Sequence, residues 1–318
     1  MPLPPDTYIL VDQVSHAYQP GPYALEDIDL QIGRGMFGLL GSNGAGKSTL
    51  MRIICTLLEP TQGRVLVAGH DVVTERLAAR KLIGYLPQDF GAWGGQKVGA
   101  VLDILASLSG LTDTRERKKK VEAALEGVGL QEVSERKVKN LSGGMLRRLG
   151  VAQALIHNPS VLIMDEPTVG LDPEERLRFR QLMSDLSQDR AIVLSTHIIA
   201  DLGSSCSDMA LIHRGRVEFR GPPTELIALA EGKVFEIAAS PALSEELERR
   251  DSFEIVAQSF RNGETIFRGV DGLGMPFKEA VPVTNITLEE AYLAYTLGQG
   301  RQITEEDYSE MTTDLETA

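Results

Sequence analysis

Apolar and polar positions fall along this chain in patterns that mark out most of its elements. Tyr8-Ile9-Leu10-Val11, then Val14, predict a strand over residues 8–18 that ends in His16-Ala17-Tyr18. A second strand runs from Ala24 to Ile32, where Leu25, Ile28, Leu30 and Ile32 stand between acidic and polar residues, and Gln19-Pro20-Gly21-Pro22 between the two is turn chemistry. The apolar run Met36–Leu40 predicts a strand, Val161–Met164 one covered on both faces, as in a parallel sheet, and Ala191–Thr196 another buried strand. Further strands are expected at Arg64–Gly69 and Leu82–Pro87. Helical spacing links Leu50, Ile53, Ile54 and Leu57, recurs in a short piece from Thr74 to Lys81, and pervades residues 98–158. Pro173 opens another helix at its first position.

The pattern changes near Gly221-Pro222-Pro223. Beyond it a short helix (Glu225 to Ala230), a strand (Val234 to Ile237) and a helical stretch (Ser244 to Arg249) are predicted. A hairpin through Arg261-Asn262-Gly263 joins Phe253–Phe260 to Glu264–Val270. Thr287 and Glu290 form a capping box for a last helix, Leu288 to Tyr295. Charge shifts at the same place. Residues 223–318 hold 19 acidic and 7 basic residues, whereas residues 1–222 hold 26 and 25, so nearly all of the net charge of −13 lies after the boundary. The expected organisation is a domain over 6–222 with a helical part at about 90–158, a small α+β module of βαββα order over 223–300, and an acidic, disordered tail over 301–318.

Charge and length also exclude function classes. A strongly acidic chain is a poor nucleic-acid ligand, since binding there wants a basic face. No apolar run approaches 18 residues, so no transmembrane helix is expected. The first residues carry no basic stretch followed by an apolar one, which predicts no secretory leader. Cys55 and Cys206 have no metal-ligand spacing and are expected as buried free thiols in a reducing compartment, the cytoplasm. Arg115 to Lys120 form a basic run read as a solvated helix face, with anionic lipid as the other reading.

The chemistry gathers at loops that follow strands. Gly41-Ser42-Asn43-Gly44-Ala45-Gly46-Lys47-Ser48-Thr49 has strand before it and helix after it, the context that turns such a match into a phosphate site. Its glycines let the backbone approach an anion, and the N–H groups from about Asn43 to Thr49 can point inward at the positive end of the new helix. Lys47 would reach the β- and γ-phosphates and the Ser48 hydroxyl would hold Mg²⁺. Ser142-Gly143-Gly144, with Ser142 as N-cap, leaves N–H groups open at a second helix start, either an anion site or a plain cap. Asp165 and Glu166 end a buried strand, where one could bind Mg²⁺ through water and the other orient or deprotonate an attacking water. His197 ends the next strand and could hydrogen-bond a γ-phosphate. Gln88 could contact Mg²⁺ and its water or be a surface glutamine; Tyr18 could stack on a base or be a packed strand-end tyrosine.

Taken together and in this order, GSNGAGKST, Gln88, LSGGM, VLIMDEP, GLD and STH resemble the ATP-binding subunit of an ABC transporter, over about residues 8–222. The resemblance implies an α/β, P-loop NTPase cassette with a RecA-like core sheet, an antiparallel β subdomain and a helical subdomain. By that likeness Tyr18 stacks on adenine, Gly41 to Thr49 is Walker A, and Gln88 senses Mg²⁺. Asp165 is the Walker B aspartate, Glu166 the catalytic carboxylate, Asp172 part of the D-loop and His197 the switch histidine. Ser142, Gly143 and Gly144 contact nucleotide. Met145 departs from the usual Gln, so a side-chain contact to ribose or partner is lost while the Ser142 hydroxyl and Gly144 N–H remain. The Met form, followed by Leu146-Arg147-Arg148, is similar to the export-type branch of drug, polysaccharide and lipid carriers. The C-terminal module resembles the extension of such ATPases.

With one phosphate loop, and with Lys47 and Ser142 on opposite sides of a subunit, a closed site needs two cassettes head to tail, held together by ATP. The implied cofactors are ATP and Mg²⁺. The implied partners are an integral membrane permease and a second cassette, placing the protein peripherally on the inner face of the cell membrane. A soluble ABC-type ATPase with a regulatory, ribosome-associated or chromosome-organising role is the rival expectation. Such proteins resemble fused double cassettes or carry long coiled coils, which this chain lacks.

Overall fold

A computed structural model describes residues 6–199, 202, 206–238, 253–261, 263–274 and 280–300 of the chain. Chain contacts divide it into two compact units, the first reaching His197 and taking up 205–220, the second carrying the residues from Gly221 onward.

Two sheets build the first unit. Strands β1 (Thr7–His16), β2 (Leu25–Gly33), β4 (Gln62–Val67) and β5 (His70–Asp71) form an antiparallel sheet in the order β2-β1-β4-β5. Strands β3 (Gly35–Leu40), β6 (Ile83–Leu86), β7 (Val161–Asp165), β8 (Ala191–Thr196), β9 (Asp208–His213) and β10 (Arg216–Gly221) form a second sheet. Its order is β10-β9-β3-β8-β7-β6, and β3 pairs in parallel with β8 and β9, as β7 does with β6 and β8. Every residue of β7 and β8 is buried, which is why both read as unbroken apolar runs. One apolar cluster joins the two sheets, from Ile9, Ile28 and Val65 to Phe37, Ile163 and Val193.

Helix α1 (Lys47–Ile54) lies within that cluster through Leu50, Met51, Ile53 and Ile54. The helical spacing extends to Leu57 in the sequence, but the helix stops earlier because Thr56 takes a left-handed φ of 61°. Leu57 N–H then bonds Arg52 O at 2.9 Å and Thr56 N–H bonds Ile53 O at 3.0 Å, a Schellman closure made without glycine. Arg80, at the end of α2 (Arg76–Arg80), secures it by donating to Thr56 Oγ1 and O. Cys55, just before Thr56 in the chain, is a buried free thiol, and burial followed by the nearby Asp165 charge raises its pKa, so it stays protonated.

The helical part contains α3 (Val98–Leu108), α4 (Thr114–Gly127) and α5 (Gly143–Leu155). Asp113 caps α4 by accepting from Glu116 N–H at 2.7 Å, and Ser142 caps α5 by accepting from Met145 N–H at 3.1 Å. Helix α6 (Pro173–Leu186) starts with Asp172 as cap and Pro173 inside it. Strands β9 and β10 are the main addition to the elements predicted from sequence.

In the second unit, α7 (Pro223–Leu229) packs on the helix Leu288–Gly298. Strands β11 (Val234–Ala238), β12 (Phe253–Arg261), β13 (Glu264–Asp271) and β14 (Val281–Pro282) form an antiparallel sheet in the order β12-β13-β11-β14. Its small core is Phe235, Ile237 and Phe253, with Phe267 and Ala280 against it. The capping box of Thr287 and Glu290 is present, and Arg268 clasps the Glu290 carboxylate. The predicted helix at 244–249, Asn262 of the hairpin turn and the tail at 301–318 lie outside the described residues.

Candidate active site

Strand register brings the chemistry to one edge. Leu40 of β3 pairs with Thr196 of β8, Ser195 of β8 with Asp165 of β7, and Met164 of β7 with Leu86 of β6. Four parallel strands therefore end level, and the residues just past their ends are, in turn, Gly41, His197, Glu166 and Pro87-Gln88. Carboxyl ends of parallel strands are where open α/β sheets form their sites.

The Gly41–Thr49 loop leads into α1 with Lys47 as the first helical residue and no side-chain cap. The N-cap position belongs to Gly46, whose φ of 114° excludes most side chains; a Cβ there would also lie 2.8 Å from Ala24 O and Leu25 Cδ2. An uncapped helix start leaves N–H donors and the positive end of the dipole for an anion. Lys47 is buried, and its ammonium donates to Gly41 O and to Ser42 O at 3.1 Å while lying 3.9 Å from Glu166 Oε1. A buried cation held by carbonyls and one carboxylate is poised to meet a phosphate. Ser48 is partly exposed beside it.

Asp165 and Glu166 are both buried and differently held. Asp165 Oδ1 accepts from the Ser195 hydroxyl at 2.6 Å, and that hydroxyl accepts from Glu166 N–H at 2.9 Å. Glu166 has a left-handed φ of 45°, uncommon for a side-chain-bearing residue, so its backbone is fixed by its surroundings. Its carboxylate meets three groups: Gln88 Nε2 donates to Oε2 at 3.4 Å, His197 Nδ1 lies 3.1 Å from Oε1, and Lys47 lies beyond. Burial alone would raise the Glu166 pKa. The His197 contact, then the Lys47 and Arg147 charges, outweigh burial and hold it below the ordinary carboxylate range. Glu166 is thus ionised at neutral pH, ready to accept a proton.

Tyr18 stands over the loop. More than half exposed, it shares a hydrogen bond at 3.0 Å between its hydroxyl and Thr49 Oγ1, and His16 meets its ring edge-on with centroids 4.9 Å apart. Gly41 to Thr49, Gln88, Asp165, Glu166 and His197 share the sheet edge, with Tyr18 tied to them through Thr49. Ser142, Gly143 and Gly144 lie at the start of α5, where Ser142 and Gly143 are exposed. Arg136 Nη1 approaches Met145 Sδ at 3.9 Å, so the residue in place of glutamine lies against a guanidinium.

Ser48, Gln88 and Asp165 offer a hydroxyl, an amide oxygen and a carboxylate, hard donors that suit Mg²⁺. No group of three or more His, Cys, Asp or Glu suited to a metal occurs among the described residues. Such an ion would therefore complete its shell with water and phosphate oxygens, as Mg²⁺ in nucleotide sites does.

Two residues of the site are not predicted from sequence. Ser195 is buried and joins Asp165 to Glu166, and its only sequence signal is a hydroxyl one residue before the strand end. Arg147 donates to Gln88 O at 2.6 Å, to Pro87 O at 3.2 Å and to Glu166 O at 3.0 Å. A second arginine beside it conceals which one faces the sheet.

Comparisons with known proteins give the chain a family. The family described as ABC transporter matches residues 25–169. The chain is 37% identical over 248 residues to Nod factor export ATP-binding protein I of Cupriavidus metallidurans, covering 76% of this chain and 80% of that one. It is 36% identical over 242 residues to the daunorubicin resistance ATP-binding protein DrrA3 of Streptomyces coeruleorubidus, covering 74% and 75%. Among solved structures it resembles a dimeric, post-hydrolysis ATP-binding cassette bound to ADP and Pi. The TM-score is 0.61 at 25% identity, over 67% of this chain and 98% of that one.

Proposed function

This chain belongs to the ATP-binding proteins of ABC transporters, and from that premise we propose that it drives an exporter by closing and opening around ATP shared between two copies. It binds and hydrolyses ATP; the proposal concerns how its residues do so and what they move. The observation that carries it is the position of Glu166, ionised between Lys47 and His197 at the edge where four strands end level.

In this reading Tyr18 stacks on the adenine and the Gly41–Thr49 backbone encloses the phosphates, with Lys47 on the β- and γ-groups. Ser48, Asp165 and Gln88 would hold Mg²⁺, which would supply positive charge beside the phosphates. Glu166 orients the attacking water and takes its proton as the water oxygen bonds to the γ-phosphorus. The bond from that phosphorus to the β,γ-bridging oxygen breaks, giving ADP and phosphate, while His197 hydrogen-bonds the terminal phosphate. Ser142, Gly143 and Gly144 of the second copy complete the site through their open N–H groups and the Ser142 hydroxyl. ATP then bridges two cassettes, and hydrolysis removes the bridge.

No helix among the described residues is long and apolar enough to cross a membrane. In this reading a permease partner supplies the transport path. The permease then docks in a groove of about 450 Å³ beside Gln88, lined by Tyr85, Phe90, Trp93, Leu105, Ala154 and His157. Trp93 is half exposed there, and the groove runs into the Pro87–Asp89 segment that carries Gln88. Docking would hold the protein on the inner face of the membrane. The export assignment rests on the two export and resistance relatives.

Purifying the tagged chain from membranes of its source organism tests this reading. A polytopic membrane protein is expected to accompany it and to be lost with Trp93→Asp, while Lys47→Ala abolishes ATP turnover. Recovery of the chain alone, or turnover unaffected by Lys47→Ala, would contradict it.

A further inference from the structure

We propose that Arg147 is a positioning residue that couples the Ser142–Gly144 turn to Glu166 of the same chain, an inference that rests on the two-copy reading above. One rigid helix carries both ends of this link. Helix α5 begins at the turn that would hold the partner's nucleotide, and Arg147 lies roughly 7 Å further along its axis at 1.5 Å per residue. From there its guanidinium spans two adjacent strand ends, donating to Pro87 O and Gln88 O after β6 and to Glu166 O after β7.

The neighbouring arginine shows that this is a matter of direction. Arg148 turns the other way, to Val128 O at 3.2 Å and to Glu175 Oε1 at 3.4 Å. Close packing fixes which of the two faces the sheet. Gly150 sits one turn beyond Arg147, and a Cβ there would lie 2.5 Å from Leu86 Cδ1, so the absence of a side chain lets α5 pack closely on β6.

Glu166 is where the link matters. Its left-handed backbone is secured on the N–H side by Ser195 and on the C=O side by Arg147. A shift of α5 would move Arg147, loosen the carbonyl anchor and turn the carboxylate away from its working direction. A shift that seats the partner's phosphate on Ser142–Gly144 would tighten it. Each copy's catalytic carboxylate would then respond to the nucleotide held by the other copy, a coupling between two sites carried by one side chain. The planar fork is needed, because a lysine ammonium cannot span both strand ends.

The test is steady-state ATP turnover of the full chain against ATP concentration, for wild type, Arg147→Lys and Arg147→Ala, with Arg148→Lys as a neighbour control. For wild type a Hill coefficient above about 1 is expected with two coupled sites. Both Arg147 variants should lose roughly 10–100-fold in kcat, the scale of a small misplacement of a catalytic group, with KM changed less than about 3-fold. Their Hill coefficient should fall to about 1, the value for uncoupled sites. Added guanidinium should restore part of the Arg147→Ala turnover, and Arg148→Lys should keep the cooperativity. Unchanged kcat and cooperativity in Arg147→Lys would overturn the proposal, and so would a lower kcat with cooperativity intact, which marks a merely structural role. A wild-type chain that hydrolyses ATP without cooperativity and stays monomeric removes the two-copy reading and this inference with it.

Discussion

Replacing Ser195 by alanine removes one hydroxyl that is wholly buried and serves two neighbours. It donates to the Asp165 carboxylate at 2.6 Å and accepts from Glu166 N–H at 2.9 Å. Losing a buried hydrogen bond to a charged group costs about 1.5–3 kcal/mol, and an unsatisfied buried N–H costs about 1–3 kcal/mol more. The two share one atom and do not add fully, so roughly 3–5 kcal/mol is the expected loss. For a domain of this size that lowers the cassette's melting temperature by roughly 6–20 °C, at about 2–4 °C per kcal/mol. Circular dichroism melting measures it. Turnover should fall with it, because Asp165 and the Glu166 backbone both lose an anchor, whereas nucleotide affinity without Mg²⁺ should hold, since Lys47 and its loop are untouched. A variant that melts within about 2 °C of wild type, inside the range of ordinary surface changes, and turns over normally would refute the anchoring role.

Three further outcomes are expected. Glu166→Gln should keep ATP binding and lower turnover by roughly 10²–10⁴, the range for a lost general base, as single-turnover hydrolysis would read. A depressed carboxylate pKa means that the ionised form persists below the usual range, so the turnover that depends on Glu166, and its share of stability, should hold through mild acid and be lost only as pH falls through that lowered value; a pH–rate profile that already declines near neutrality because of this group would contradict it. Removing residues 223–318 should leave a cassette that melts cooperatively and binds ATP, since the core joining its two sheets lies wholly before that point; an insoluble product would show the boundary to be misplaced.

Much of this fold could be read from the chain because its strongest signals are physical ones. Strands β7 and β8 are buried on both faces, so they appear as apolar runs, and the Gly41–Thr49 loop announces a strand-to-helix turn through its glycines. Strand β10 carries the alternation of a half-buried strand, Val217 and Phe219 between Arg216, Glu218 and Arg220, and was legible although it is not among the predicted elements. Thr56 conceals a helix end, since closure at a left-handed residue usually advertises itself with glycine. The placement of Gln88, Asp165, Glu166 and His197 side by side comes from parallel strand order, which sequence periodicity does not contain. Ser195 and Arg147 were out of reach for the same reason: their roles lie in which atoms they meet across the sheet edge.

The most direct test of the two-copy site is the mass of the Glu166→Gln chain in solution, by light scattering, with ATP and with ADP. A dimer in ATP and a monomer in ADP are expected. Adding Gly143→Asp, where the backbone leaves open space for a side chain, puts a negative charge in the turn without disturbing its packing. That chain should still bind ATP and yet stay monomeric. The same mass in both nucleotides, or a dimer that survives Gly143→Asp, would contradict the account.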